Sequence, residues 1–366
     1  MRPPVVITGG GTGGHIFPMQ AIAEALIAQG ASPTELLFVG SRRGKERELL
    51  GQEATPLVLL PGRGIRRSLS PRALLQNCGA ILGLVSAQVR AVLLVGRLRP
   101  AAVVSVGGYA SFAVSVAAVI WRRPLVLVEF DATQGAAHRV VSRFATRRCV
   151  AFSSDDSRDV VTGAPLRATI STIDRSGARV NGASRTRWTV VVMTGSLGAS
   201  SVNRAVVALA DVLRDRDDVT LLHVTGDRDF DWVRKSRDVR PTDRLDYRVE
   251  AFGDMTTLWS TCDVAICRAG AMTVAELTYL GIPSVLVPLP DAPGDHQTKN
   301  ARVLEDAGAA VVINDSEVSG AVLARVIDDL FARPDRMQDM ARASLALGHA
   351  DAAAAIADVV REVSEW

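Results

Sequence analysis

The feature that most constrains this chain is a pattern that starts twice. Residues 4–9 read "PVVITG" and residues 190–195 read "VVVMTG". Each apolar run passes through a turn of small residues into a stretch with helical spacing. A short apolar run bounded by glycine is the mark of a parallel strand, which is covered on both faces. After the first run come "ELLFVG" (35–40), "TPLVLL" (55–60), "AAVVSVG" (101–107), "LVLVEF" (125–130) and "RCVAF" (148–152). After the restart come "VTLLHVTG" (219–226), "YRVEAF" (247–252), "DVAICR" (263–268), "SVLVPL" (284–289) and "AAVVIN" (309–314). Helical segments such as "FPMQAIAEALIAQG" (17–30) separate most of them. Such alternation builds a parallel sheet with helices on both faces. A repeat this long is a pair of domains and not a solenoid unit. The predicted class is therefore α/β, with two doubly wound, Rossmann-like domains in tandem. Their expected bounds are 1–168 and 188–348. A polar, glycine-containing linker at 169–187 separates them, and a final helix at 349–366 is expected to return to the first domain.

Composition narrows the function classes. A chain of 366 residues, 48% hydrophobic and 22% charged, has ample material for two globular cores. Lys and Arg number 42 against 39 Asp and Glu, a net +3 that gives no argument for nucleic acid. Cys78, Cys149, Cys262 and Cys267 show no CxxC spacing and read as buried thiols of a reducing compartment. The five histidines are scattered, so no metal site is expected. "MRPPVVITGG" enters a strand at once, without the apolar segment of a secretory signal, and no apolar run reaches membrane-span length.

The first turn reads "ITGGGTGGH" (7–15). Glycines permit positive φ and close approach of a ligand to backbone, and the helix that follows presents unpaired N–H groups. The combination predicts an anion or sugar-phosphate site, although a tight turn with only structural duty fits the loop in isolation. No GK[ST] follows, so it is not a Walker A loop. An NAD-binding oxidoreductase needs an acid at the end of the second strand, whereas Glu35 begins that strand. His15 stands at the helix start, where the macrodipole lowers imidazole basicity, and is a candidate base or hydrogen-bond donor.

Six motifs in order, from Gly10 to Ala301, resemble those of the MurG family. They are "GGTGGH" (10–15) with "FP" after it, "GGYAS" (107–111), "GAPLR" (163–167), "TGSLGA" (194–199), "CRAGAMTVAEL" (267–277) and "GIPSVLVPLP" with "DHQTKNA" (281–301). That family adds N-acetylglucosamine to lipid I, giving lipid II of peptidoglycan, and so serves cell shape and division. The resemblance implies the GT-B fold, with the active site between two Rossmann-like halves, and an inverting, metal-independent transfer with no cofactor. It implies UDP-GlcNAc and lipid I as substrates. It also implies a peripheral position on the anionic cytoplasmic face of the bacterial cell membrane, with cell-wall synthesis proteins as further partners.

Residue roles follow from the same likeness. Glu276 matches the glutamate that grips the ribose diol, and a carboxylate accepts two hydroxyls well. Ala271, Met272, Thr273, Val274 and Ala275 match the helix start at the pyrophosphate, as Ser196 and Arg167 match its further partners. His296 and Gln297 match the pair at the sugar hydroxyls, and Gly253, or Phe252 beside it, matches the position at the uracil. Thr12, Gly13, Gly14 and His15 would line the crevice near phosphates and acceptor, with Tyr109 facing it. The chain departs from the family's HEQN, having Val128, Glu129, Phe130 and Asp131. Asp131 thus replaces an asparagine that contacts the donor sugar, and is a second candidate base. Ala164 and Leu197 replace an asparagine and a glutamine. These changes are expected to cluster at the cleft, which keeps open a divergent paralogue with another acceptor or a non-catalytic UDP-sugar-binding protein. "DRDFD" (227–231) is expected to be a solvated helix start and not a metal site. "AILGLVSAQVRAVLLVGRLRP" (80–100) and the arginines of "GRGIRRSLSPR" (62–72) correspond to the family's apolar patch with basic residues around it.

Overall fold

The computed structural model describes all residues except Met1, Thr12, 62–70, 154–155, 176–186, 196–197 and 237–239, and the side chains of 71–82 and Tyr109. The chain forms two compact units, Met1–Arg167 with Asp351–Trp366, and Ala168–Ala350.

The first unit holds β1 (Val5–Thr8), β2 (Leu36–Ser41), β3 (Leu57–Leu60), β4 (Ala102–Ser105), β5 (Leu125–Glu129), β6 (Arg147–Val150) and β7 (Asp159–Val161). They form one parallel sheet in the order β3-β2-β1-β4-β5-β6-β7. The interior strands are buried on both faces, which is why they read as unbroken apolar runs. β7 escapes a sequence reading because it is a three-residue edge strand with little buried surface. The helix Pro71–Leu98 turns Ala87, Ala91 and Val95 inward against Ala113, Val114, Ala117 and Ala118 of the Tyr109–Ile120 helix. Small residues at a spacing of four let these helices approach closely. The last helix, Ala352–Ser364, packs on the Gly13–Ala28 helix. There the Arg361 guanidinium donates to Gln29 O at 2.6 Å, and Gln29 Nε2 donates to Asp358 at 2.8 Å.

The second unit holds β8 (Trp188–Met193), β9 (Val219–Val224), β10 (Asp246–Glu250), β11 (Val264–Cys267), β12 (Ser284–Leu286) and β13 (Ala310–Val312). The sheet is again parallel, in the order β10-β9-β8-β11-β12-β13. Its core joins Val190, Leu221, Val264 and Val285 to Val206, Leu209, Leu323 and Ile327 of the covering helices. Strand order reverses between β1 and β4 in one sheet and between β8 and β11 in the other. Loops leave opposite faces of an open α/β sheet at such a reversal, and the crevice beyond the strand ends is where ligands bind. Cys149, Cys262 and Cys267 are buried free thiols, and burial pushes Cys149 and Cys262 up to about 12.

Candidate active site

In the first unit, the reversal brings together the turn after β1, the turn after β4 and the loop after β5. The short helix Glu46–Leu50 places a fully buried carboxylate beneath the first turn. Its Oε1 accepts the Gly11 N–H at 3.0 Å and the Ser41 N–H at 2.9 Å. Only glycine fits around it, since a Cβ on Gly10 would lie 2.1 Å from that oxygen. The next turn packs on this one, where a Cβ on Gly108 would meet Gly10 O at 2.4 Å. The Gly11 amide is therefore already taken by a carboxylate.

His15 lies partly buried in the first turn of the Gly13–Ala28 helix. Its proton affinity is lowered chiefly by burial, with Asp131 and Glu46 acting upward and His138 downward. The sequence leads one to expect the lowering from the helix start, but burial is its main cause. Asp131, in the loop after β5, is partly exposed. Behind them His138 is buried on the helix Ala136–Val141, with Nδ1 2.8 Å from Glu129 Oε1 and Nε2 2.8 Å from Ser105 Oγ. Glu129 Oε2 also accepts the Gly135 N–H at 3.2 Å. Glu129, Asp131, Gln134, Arg148, Phe152 and Asp159 line an open depression of about 190 Å³. The Arg167 guanidinium stacks over Phe17, 4.5 Å from the ring centroid.

In the second unit, two helices start at the reversal without a side-chain cap, Ser200–Val212 after Ala199 and Ala271–Leu280 after Gly270. Uncapped first-turn amides suit an anion. Beneath the first lies Asp229, on the helix Asp227–Ser236, buried and accepting from Ser200 Oγ at 2.9 Å and Asn203 Nδ2 at 2.9 Å. Burial opposes its ionisation, but hydrogen bonds from Arg228, Ser200, Trp232 and Asn203 outweigh that and bring it down to about 2. "DRDFD" opens a helix with Asp227 and Asp231 exposed, as expected, and the expectation is corrected only at Asp229, an internal strut. The network continues through His223, bonded to Asn203 Oδ1 and to the Tyr247 hydroxyl, each at 2.9 Å. Among the described residues no group of His, Cys, Asp and Glu is arranged to hold a metal ion.

At the second helix start, Arg268 ties the ends of three elements together. It donates to Val287 O and Pro288 O at 3.0 Å and to Ser201 Oγ at 3.0 Å, and pairs with Asp315 at 2.6 Å. Buried Asn300 donates to Ala269 O at 3.1 Å. Glu276, in the second turn of its helix, is nearly buried and accepts the Trp259 indole N–H at 2.9 Å. Gln297 Oε1 accepts the Leu289 N–H at 3.0 Å, and His296 Nδ1 lies 2.7 Å from Pro293 O. The loop that carries them has Asp291 at φ 57° and Asp295 at φ 55°, a left-handed conformation costly outside glycine and one that clusters at ligand sites. Gly253 is closely packed, with Leu258 filling its Cβ position at 2.5 Å, whereas Phe252 beside it is 62% exposed.

Of the predicted site residues, Gly13, Gly14, His15, Asp131 and Arg167 belong to the first unit. Gly253, Ala271, Met272, Thr273, Val274, Ala275, Glu276, His296 and Gln297 belong to the second. Thr12, Ser196 and the Tyr109 side chain lie outside the described residues, as do Leu197 and the arginines of 62–70. Most of the family departures are not exposed side chains. Val128, Phe130 and Ala164 are buried apolar side chains, and only Asp131 of the four described is partly open. Sequence reasoning missed Glu46, Ser105, His138, Trp259, Arg268 and Asp315. A polar residue one or more strands away gives no local signal, since its partner is set by tertiary contact.

Two parallel sheets of seven and six strands, each with such turns at its reversal, match the GT-B fold of glycosyltransferases. The Glycosyltransferase family 28 N-terminal domain matches residues 5–150 and the C-terminal domain matches residues 189–356. The UDP-N-acetylglucosamine–N-acetylmuramyl-(pentapeptide) pyrophosphoryl-undecaprenol N-acetylglucosamine transferase of Desulforudis audaxviator is 35% identical, covering 98% of each chain. That of Nitratidesulfovibrio vulgaris is 39% identical, covering 97% of this chain and 95% of its own. The crystal structure of Acinetobacter baumannii MurG, 27% identical, superposes with a TM-score of 0.78 over 98% of this chain and all of its own. The chain belongs to the MurG family.

Proposed function

We propose that this protein moves N-acetylglucosamine from UDP-GlcNAc, with inversion, to the 4-hydroxyl of lipid-linked N-acetylmuramyl-pentapeptide. The observation that carries this reading is identity of 35–39% running through both units to transferases of that name. The second unit takes the donor. The uncapped amides of Ala271, Met272 and Thr273 receive the pyrophosphate, and Ser196 and Arg167 add to its neutralisation as UDP departs. Glu276, oriented by the Trp259 N–H, accepts the ribose hydroxyls. Gln297 commits its oxygen to Leu289, so its amide hydrogens remain to reach the sugar, beside His296. The uracil lies against the Gly253 backbone, where exposed Phe252 offers a ring face.

The first unit takes the acceptor, with Tyr109 on that side and Thr12, Gly13 and Gly14 toward the donor's phosphates. His15 removes the hydroxyl proton. Its lowered proton affinity leaves it uncharged near pH 7, as a base must be. Asp131 faces the imidazolium that then forms. Transfer to a lipid I analogue tests the assignment: His15→Ala is expected to lose about 10²–10⁴-fold in kcat. If Asp131→Asn is the more damaging change and His15→Ala is mild, the base is Asp131.

The protein docks peripherally on the anionic cytoplasmic membrane face, where cell-wall synthesis proteins would meet it. Among the described residues no helix is long and apolar enough to cross a membrane. Along the outer face of the Pro71–Leu98 helix, however, Val85, Val89 and Leu93 are 53–67% exposed. Trp121 joins this stripe, its indole N–H bonded to Val92 O at 2.9 Å, and exposed Arg90, Arg97 and Arg122 lie nearby in sequence. Apolar side chains with arginines around them suit an anionic lipid surface.

A further inference from the structure

The buried His138 has no part in the scheme above, yet its surroundings are built as for a working imidazole. Both of its nitrogens are held at 2.8 Å, Nδ1 by Glu129 Oε1 and Nε2 by Ser105 Oγ. A carboxylate only accepts, so Nδ1 carries the proton. The glutamate is fixed in turn by the Gly135 N–H at 3.2 Å. Serine, histidine and glutamate come from the ends of β4, the helix Ala136–Val141 and β5, with Ser105 fully buried and His138 nearly so. Across Gly107 stands His15. The space that a Cβ on Gly107 would occupy lies 3.3 Å from His15 Nε2 and 3.8 Å from His138 Cε1, so both imidazoles come within 4 Å of one point. Gly107 has φ +94°, so no other residue is comfortable there and no side chain fills the space beside the rings.

We propose that His138, clamped between Glu129 and Ser105 and close to His15 at Gly107, is a positioning residue of the transfer reaction that acts through His15. The proposal rests on the reading of His15 as the base. The charged and titratable groups facing His15 are Asp131 from the loop after β5, Glu46 from the helix Glu46–Leu50, and His138. The two carboxylates favour the imidazolium, and a positive charge on His138, held when both its nitrogens carry protons, disfavours it. Without His138 the carboxylates would act unopposed, and more of His15 would be protonated and idle at neutral pH.

The test reads His15 directly, by NMR titration of its ring carbon-bound proton in the full-length protein, assigned with His15→Gln. In His138→Gln, the His15 midpoint is expected to rise by on the order of half a pH unit. In Asp131→Asn it is expected to fall. The acid limb of kcat/KM for transfer should follow the midpoint. His138→Gln would then be about threefold slower below the limb and little changed on the plateau, a split that loss of packing alone would not give. His138→Asn, with folding checked by its thermal transition, stands in should the glutamine not fit. An unchanged or lowered His15 midpoint in the folded variant overturns the proposal, whatever the activity does. A raised midpoint with an unmoved acid limb instead overturns His15 as the base, and the role of His138 in the reaction with it.

Discussion

The two strand-order reversals start from the same local design and use it differently. Each has a glycine turn seated over a buried carboxylate, Glu46 in the first unit and Asp229 in the second. Glu46 bonds the turn's own backbone, taking the Gly11 N–H. Asp229 bonds side chains, Ser200 and Asn203, and the helix above it starts without a side-chain cap. A carboxylate placed on the amides repels an anion and favours a proton-handling histidine beside it. A carboxylate placed under the amides, bonded elsewhere, braces the turn and leaves the helix start for phosphate. In the proposed function, the same strand–turn–helix motif would thus serve proton chemistry or anion binding, according to which hydrogens its buried acid accepts.

Breaking the first arrangement should cost most. Glu46→Ala strands two backbone N–H groups, and a loss of about 3 kcal/mol in unfolding free energy is expected. Thermal and denaturant unfolding would measure it, and a loss confined to activity would mean the turn stands without its acid. The second arrangement should break with pH. Asp229 titrates below its ordinary value, so its stabilisation is complete above the unfolded carboxylate value and is lost as pH falls through about 2. The shift corresponds to about 2 kcal/mol. Asp229→Asn should flatten the decline of stability between pH 4 and pH 2, a range taken from the ordinary value of 3.8 and the folded value of about 2. Parallel acid-unfolding curves for the two proteins would speak against it. A smaller effect sharpens the contrast on the ligand side. Glu276→Gln keeps an acceptor for Trp259 but loses the charge, and should weaken UDP binding about tenfold in calorimetric titration, with little change in stability. An unchanged affinity would remove Glu276 from the ribose. The smallest effect on the fold belongs to the exposed helix face. Leu93→Asp should alter stability by less than about 0.5 kcal/mol. It should nevertheless reduce sedimentation with anionic vesicles, and undiminished sedimentation would move the docking surface elsewhere.

Much of this was legible before any coordinates. Twelve of the strands coincide with apolar runs in the sequence, because a strand buried on both faces must be apolar throughout. The restart at "VVVMTG" announced a second sheet for the same reason. Family motifs pointed to His15, Arg167, Glu276 and Gln297, because each stands within a contiguous run of the sequence. Local order carries such signals. What the sequence could not convey was which polar residues meet across strands. Nothing near Glu46 says that it bonds Gly11, 35 positions away, and nothing in "GAAHRV" says that His138 reaches Ser105. The substitutions at Val128, Phe130 and Ala164 stand within site motifs, and only packing reveals that their side chains are buried. Asp229 likewise reads as a solvated helix acid until burial and four hydrogen-bonding partners make it a strut. The sequence by itself determined the two sheets, their turns and the family, since these follow from periodicity and contiguous motifs. Tertiary structure alone decided which hydrogens each buried acid accepts, because a hydrogen bond depends on position in space and leaves no period along the chain.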